Sequence, residues 1–178
     1  MAFRNGAVEV VPYWQMPFAE HEARSFSELK TEFVDLLRQS VSGCAAKARV
    51  GAFLSGGTDS STIAGMLRAV TGEAPRTYSI GFDAEGFDEM AYARLAARHF
   101  ATRHNEYYVS PADVVAAIPK IAAAHDQPFG NSSSVPTYYC AKLAAADGIE
   151  IMLGGDGGDE LFGGNSRYAV QHLYSLYS

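Results

Sequence analysis

The stretch that decides the fold reads VGAFLSGGTDS and occupies residues 50–60. Its first part, Val50 to Leu54, is an apolar run without polar alternation, which is typical of a strand buried on both faces of a parallel sheet. The loop SGGTDS follows directly, and a helical pattern begins at about Ser60 and stops near Gly72. A buried strand, a glycine-rich turn and a helix in this order predict one unit of an α/β domain.

Strand-like and helical segments alternate on both sides of this unit. The preceding helix opens on Ser25 and Glu28, which have the spacing of a capping box. Right-handed crossovers between such segments predict a doubly wound parallel sheet with helices on both faces, which binds ligands beyond the carboxyl ends of its strands. The other predicted elements are strands over 77–81, 106–109 and 149–153, helices over 88–98 and 136–146, a helix that opens at 110–111 and kinks or restarts at Pro119, and an aromatic helix from about 166.

The composition of the 178-residue chain excludes several classes of protein. Apolar residues make up 48% and charged residues 19%, which suits one packed domain and argues against wholesale disorder. No apolar run approaches the roughly 18 residues that span a bilayer, and the start, MAFRNGAVEVV, has no signal-peptide pattern. The net charge of −6 argues against nucleic acid as the main partner. With Cys44 and Cys140 read as free thiols, we expect a cytoplasmic protein with no membrane or nucleic-acid partner.

Nine of the 17 glycines lie in two short windows. We call residues 51–60 the first window and residues 154–164, GGDGGDELFGG, the second window. The first window contains the end of the predicted strand at 50–54 and the loop after it, and the second window follows the predicted strand at 149–153. Both windows therefore belong to the carboxyl edge of the sheet. Glycine clustered beside aspartate indicates a backbone shaped around a ligand, whereas linker glycine is scattered or mixed with serine in long runs.

The first window has the composition of a phosphate cradle. Glycines and a helix N-terminus present backbone N–H groups and partial positive charge to an anion, and the hydroxyls of Ser55, Thr58 and Ser60 add donors. The window lacks both the G-x-x-x-x-G-K-[ST] loop and the G-x-G-x-x-G fingerprint of other nucleotide sites. Asp59 would repel a phosphate unless a cation lay between them, which predicts Mg²⁺ at this position.

The second window carries three carboxylates within five residues, those of Asp156, Asp159 and Glu160. Such carboxylates repel one another, and a complex of metal and phosphate would relieve the repulsion. For either window alone, a solvated acidic turn that caps a helix is the alternative. Two such windows at one edge of a sheet favour a single site for a metal-bound phosphate ligand.

The two windows together resemble a known family. SGGTDS at residues 55–60 resembles the signature of the PP-loop ATP pyrophosphatases, which have the adenine nucleotide alpha-hydrolase-like fold. With GDGGDELFGG at residues 155–164, the chain is similar to the synthetase domain of glutamine-dependent asparagine synthetases. The segments SIGF at 79–82, FDE at 87–89 and DQPFG at 126–130 match that family in order, and the resemblance covers about residues 13–168.

The resemblance implies ATP and Mg²⁺ as cofactors and an adenylation reaction. The carboxylate of aspartate attacks the α-phosphate of ATP, pyrophosphate leaves, and ammonia then displaces AMP to form asparagine. Asp156 occupies the position of an acidic residue near the reacting centre, and it is the candidate catalytic residue. The resemblance implies that pyrophosphate is held by Ser55, Gly56, Gly57 and Ser60, and that Mg²⁺ is coordinated by Asp59 and Asp159. It also implies that Leu54 and Ile80 border the nucleoside. Gly154 and Gly155 would approach the nucleotide closely.

Departures from the family pattern set the expected domain limits. The family begins with a catalytic cysteine on a glutaminase domain, whereas Ala2 stands second in this chain. We therefore expect residues 1–24 to be a lead-in from a missing glutaminase domain, which would supply the ammonia. We expect residues 25–178 to be the ATP-binding domain, truncated at its C-terminal end. The apolar and aromatic character of the last helix indicates either that truncation or a partner interface, which includes a homo-oligomer.

Two alternatives to asparagine synthesis stay open. A related amidotransferase, such as a β-lactam synthetase, would adenylate another carboxylate, and the two windows do not separate these acceptors. A nucleotide-binding fragment without activity of its own is the alternative outside catalysis. The presence of both Asp59 and Asp159 argues against a degenerated site.

Overall fold

The computed structural model describes residues 1–15, 24–83, 89–128 and 130–175. The chain divides into two units, residues 1–34 and residues 35–178. Strands β1 (Ala2–Arg4) and β2 (Ala7–Glu9) lie in the first unit, and helix α1 (Phe26–Ala45) begins there and continues into the second. The second unit then contains β3 (Val50–Phe53), α2 (Thr58–Thr71), β4 (Arg76–Phe82), α3 (Met90–His99), β5 (Arg103–Val109), α4 (Pro111–Ala124), α5 (Ser134–Ala146), β6 (Ile151–Leu153), α6 (Gly158–Phe162) and α7 (Ser166–Ser175).

In the first unit, β1 and β2 pair antiparallel as a hairpin. The turn is Asn5-Gly6, with φ values of 52° and 81°, which is the left-handed pair that a type I′ hairpin turn requires. The lead-in predicted for residues 1–24 thus contains a hairpin that we did not predict. The capping box of α1 is confirmed, because the Ser25 N–H donates to Glu28 Oε2 at 2.8 Å and the Glu28 N–H donates to Ser25 Oγ at 3.2 Å.

The second unit is built on a four-stranded parallel sheet in the order β5-β4-β3-β6. The chain moves outward from β3 through β4 to β5, and then returns to place β6 on the other side of β3. Ala52 pairs with Thr77 on one side and with Leu153 on the other. The strand order therefore reverses between β3 and β6, which is where an open α/β sheet forms its ligand crevice.

Helices cover both faces of this sheet. Ala52 of β3 packs with Val41 of α1 and Leu67 of α2 on one face. The next residue, Phe53, faces the opposite side, where it packs against the cluster that contains Cys140 of α5. The predicted fold class, a parallel sheet with helices on both faces, is confirmed.

Most element boundaries agree with the prediction to within two residues, and three differences are larger. β5 begins at Arg103, three residues early, and the short helix α6 was not predicted. We predicted that the helix kinks or restarts at Pro119, and the restart is wrong, because α4 runs through that residue as one helix. Proline leaves the carbonyl four residues earlier, that of Val115, without its helical donor, and Val115 lies on the exposed side of α4. The predicted start of α3 at residue 88 lies outside the described residues, as do parts of the FDE and DQPFG segments. Within the described ranges, no helix has the length and apolar character needed to cross a membrane.

Candidate functional site

Serine hydroxyls shape the loop of the first window. The Ser55 N–H donates to Ser60 Oγ at 3.1 Å, and the two hydroxyl oxygens lie 2.9 Å apart. The Gly57 N–H donates to Ser55 Oγ, and the Ser60 hydroxyl donates to the Gly57 carbonyl, both at 3.3 Å. Gly57 is the N-cap of α2 and makes no side-chain cap bond. The first-turn N–H groups of α2 therefore remain suited to an anion.

Gly56 brings this loop against helix α3. Its φ of 85° lies in the left-handed region, which side chains rarely adopt. A Cβ on Gly56 would overlap the Tyr92 backbone and lie 2.5 Å from the Ala93 nitrogen. Glycine is therefore required here both for the turn and for the close approach of α3.

The second window lies directly against the first. A Cβ on Gly155 would lie 2.6 Å from Asp59 Cβ and 2.9 Å from the Ser60 nitrogen. A Cβ on Gly158 would overlap the Asp59 carboxylate. Glycines of the second window thus allow two segments that are nearly 100 residues apart in sequence to meet around Asp59, beyond the carboxyl ends of β3 and β6.

The two windows border a cavity of about 790 Å³, a size typical of small-molecule sites. Gly56 and Gly57 belong to the adjoining loop. The roles assigned to the individual residues stay predictions. Nine predicted site residues line the cavity: Leu54, Ser55, Asp59, Ser60, Ile80, Gly154, Gly155, Asp156 and Asp159.

The charged groups on the cavity wall are carboxylates: Asp59, Glu89, Asp156, Asp159 and Glu160. Among the described lining residues there is no lysine, arginine or histidine. A phosphate ligand would meet repulsion from this wall unless cations accompanied it. In the described part of the chain, no group of three or more histidine, cysteine or acidic side chains is arranged to hold a metal by itself. One or two carboxylates nevertheless fit Mg²⁺, because that ion takes its remaining ligands from phosphates and water.

Apolar residues form the other part of the wall, and we did not predict their place in the site. Phe53, Phe82 and Met90 line the cavity together with Cys140 from α5. Burial raises the pKa of the Cys140 thiol to about 12, so the thiol stays protonated and fills space. Tyr78 also lines the cavity, and its hydroxyl donates to Asp147 Oδ2 at 2.9 Å. Burial and this carboxylate raise the pKa of Tyr78 to about 12.

Glu89 is a polar residue of the cavity to which the sequence assigned no role. It lies between β4 and α3, on the connection that leaves the carboxyl end of β4. The signal that could have found it is its place after a strand next to β3, since connections at that edge line the crevice.

Comparison with known proteins then places the chain in a family. The family model described as asparagine synthase matches residues 32–178. The chain belongs to the asparagine synthase family. This match confirms the resemblance drawn from the two windows.

Relatives agree with the family, and one solved structure agrees with the fold. A Methanocaldococcus jannaschii protein whose name places it among glutamine-hydrolyzing asparagine synthetases is 43% identical over 116 residues, which are 65% of this chain and 22% of that protein. Asparagine synthetase [glutamine-hydrolyzing] 1 of Bacillus subtilis is 35% identical over 119 residues, 67% of this chain and 18% of that protein. The chain thus spans about a fifth of the length of these relatives. The structure of NMN synthetase from Francisella tularensis is similar with a TM-score of 0.50 and 17% identity, over 68% of this chain and 52% of that chain, which supports the fold.

Proposed function

We propose that this chain forms the ATP-binding part of a ligase that makes an amide. A carboxylate attacks the α-phosphate of ATP, pyrophosphate leaves, and ammonia displaces AMP from the acyl-adenylate. The observation that carries the proposal is the contact of the two windows around Asp59, where Gly155 and Gly158 approach that residue. In a member of the asparagine synthase family, this contact supports one nucleotide site made from both windows.

The first window provides the cradle for pyrophosphate in this proposal. Ser55 and Ser60 offer hydroxyls that the loop already orients, and Gly56 and Gly57 offer a backbone without side chains. Asp59 and Asp159, both on the cavity wall, would hold Mg²⁺, which neutralises the charge that develops on the leaving group. In this reaction the protein lowers the activation barrier mainly by positioning the leaving group and stabilising its charge, and not by covalent catalysis.

The nucleoside and the acceptor occupy the remaining wall. Leu54 and Ile80 border the nucleoside, and the apolar surface around Phe82 suits a nucleobase. Gly154 and Gly155 let the backbone approach the nucleotide. Asp156, on the wall near both windows, would position the acceptor or take the proton that ammonia loses.

In this proposal the acceptor is aspartate and the product is asparagine, because the two relatives described above are named as asparagine synthetases. Ammonia would come from a glutaminase domain, since those names specify glutamine hydrolysis. In this proposal residues 1–24 are the connection from that domain, and residues 25–178 are the ATP-binding domain.

Calorimetric titration with ATP and Mg²⁺ tests the site. The 178-residue chain should bind ATP with Mg²⁺ and lose affinity in EDTA, because the carboxylate wall repels free ATP. Asp59→Asn should weaken binding about tenfold or more, as expected for the loss of a charged ligand. The matched control is Asp35→Asn, which removes an exposed carboxylate that pairs with Arg38 on the surface of α1 and should leave MgATP affinity unchanged. Equal affinity in Asp59→Asn and the original chain would refute the metal assignment.

Pyrophosphate release tests the reaction. The longest gene product that carries this sequence should release pyrophosphate from ATP when aspartate and ammonia are both present. If pyrophosphate release requires another carboxylate, that carboxylate is the acceptor. If the protein binds MgATP tightly but releases no pyrophosphate with any carboxylate tested, it is a nucleotide-binding protein and not a ligase.

A further inference from the structure

Ser79 is a buried hydroxyl at the inner edge of the site, and no step above uses it. Its side chain lines the cavity, yet the residue is only 5% exposed. The Ser79 hydroxyl donates to the carbonyl of Leu54, which is the last residue before the loop of the first window. Leu54 is itself 1% exposed, so this bond lies inside the protein, where hydrogen bonds are protected from water.

The bond marks the point at which the β3–β4 ladder ends. The Leu54 N–H donates to the Tyr78 carbonyl at 3.0 Å, in the pattern of parallel strands. A continued ladder would bring the Ile80 N–H to the Leu54 carbonyl. The Leu54 carbonyl accepts from the Ser79 hydroxyl instead. No backbone hydrogen bond joins Ile80 to Leu54, and both residues lie in the described part of the chain. Ile80 lines the cavity, and its N–H lies on the β3 side, next to the space that the ladder no longer fills.

We propose that Ser79 is a positioning residue for the nucleotide site. By bonding the Leu54 carbonyl, its hydroxyl fixes the start of the Ser55–Ser60 loop and leaves the Ile80 N–H to face an acceptor atom of the nucleobase. This role rests on the proposed ATP site. It acts through Leu54 and Ile80, because the Ser79 hydroxyl donates its proton to protein and not to the ligand.

Thr77 provides the comparison that separates positioning from general stability. It lies two residues earlier on β4, so its side chain points to the same face of the sheet. It is fully buried, and its Oγ1 lies 2.8 Å from Thr102 Oγ1 and 3.0 Å from His104 Nδ1. Thr77 does not line the cavity. A lost hydroxyl at either position weakens the core, but only the loss at Ser79 frees a carbonyl of the site.

The test compares Ser79→Ala, Ser79→Thr and Thr77→Val by calorimetry with MgATP and MgGTP, with circular dichroism and thermal unfolding as checks of the fold. Ser79→Ala should bind MgATP roughly five- to tenfold more weakly, the range for one lost neutral hydrogen bond. Its preference for ATP over GTP should also narrow, because adenine offers an acceptor at N1 where guanine carries N1–H. Ser79→Thr should recover most of the affinity, and Thr77→Val should keep both affinity and preference.

Each remaining outcome counts against the proposal. Unchanged affinity and preference in Ser79→Ala would overturn it, and so would an equal loss in Thr77→Val, because that result would assign the effect to the core. If the original chain does not bind MgATP, the proposed function itself fails. This failure is distinct from failure of the Ser79 proposal, because it is seen without any variant.

Discussion

At the scale of single residues, the site depends on the absence of a side chain at position 155. The backbone of Gly155 lies so close to Asp59 and Ser60 that a Cβ would come within 2.6 to 2.9 Å of three of their atoms. Two of these atoms belong to backbone, which cannot rotate away as the end of a side chain can. The approach of the two windows is therefore a property of this glycine.

We predict that Gly155→Ala separates the windows. MgATP affinity should fall at least about tenfold, and the unfolding free energy should fall by about 1–3 kcal/mol, the usual cost of overpacking. Calorimetry and urea unfolding measure the two effects. The control is Gly43→Ala in helix α1, where a Cβ meets nothing within 4 Å. That change should raise stability by about 0.5–1 kcal/mol and leave binding unaltered. Normal MgATP affinity in Gly155→Ala would contradict the contact.

The residues of the two windows could be predicted because their signal is local. Asp59, Asp156 and Asp159 lie in short motifs whose glycines and carboxylates indicate a phosphate site without knowledge of the rest of the fold. Cys140 could not be found in this way, because it reaches the cavity through the packing of α5 on the sheet. Glu89 carries a weaker signal, because it follows β4, which is a neighbour of β3 in the sheet.

At the scale of elements, β4, β5 and α3 enclose a polar cluster around His104. Its side chain is 10% exposed, and its Nδ1 lies 3.0 Å from Thr77 Oγ1. Its Nε2 has no hydrogen-bond partner and lies 3.6 Å from Glu106 Oε1. Glu106 is held by Arg94 of α3, whose Nε lies 2.9 Å from Oε1. Burial lowers the pKa of His104 below its usual 6.5, Glu106 opposes this shift, and Arg94 adds to it.

This cluster predicts a loss of stability on mild acidification. Because the folded pKa of His104 is lower than the unfolded one, the unfolded chain binds more protons just below pH 6.5, and the unfolding free energy falls as pH decreases through that range. His104→Asn should reduce this slope between pH 7.5 and 5.5, measured by urea unfolding. His99→Asn, an exposed histidine on α3, is the control and should retain the slope. An unchanged slope in His104→Asn would contradict the assignment.

Helices and strands could be predicted where the spacing of apolar residues followed either the helical or the strand repeat. Elements without such a repeat were predicted with wrong boundaries or missed. β3 and α2 follow from a buried apolar run and a helical repeat. β5 begins earlier than predicted because Arg103 and His104 are polar, and their strand conformation comes from pairing with β4 at Arg76 and Thr77. The hairpin of β1 and β2 carried a local signal, Asn5-Gly6, which is typical of a two-residue hairpin turn and which our prediction did not use.

At the scale of the whole molecule, the strand order explains why the windows meet. β3 and β6 are neighbours in the sheet, yet 97 residues separate the end of one from the start of the other. The reversal of strand order between them opens the crevice, and both windows leave strands at its edge. The sequence indicated a parallel sheet, but the adjacency of β3 and β6 is a long-range pairing that no local pattern encodes.

In the proposed site, both windows bind one MgATP. Amide hydrogen exchange, followed by mass spectrometry with and without saturating MgATP, tests it without any substitution. We predict slower exchange in peptides from both windows, residues 55–60 and 154–160, and a weaker effect when EDTA removes the Mg²⁺. Protection confined to one window, or absent from both at saturating MgATP, would contradict the claim.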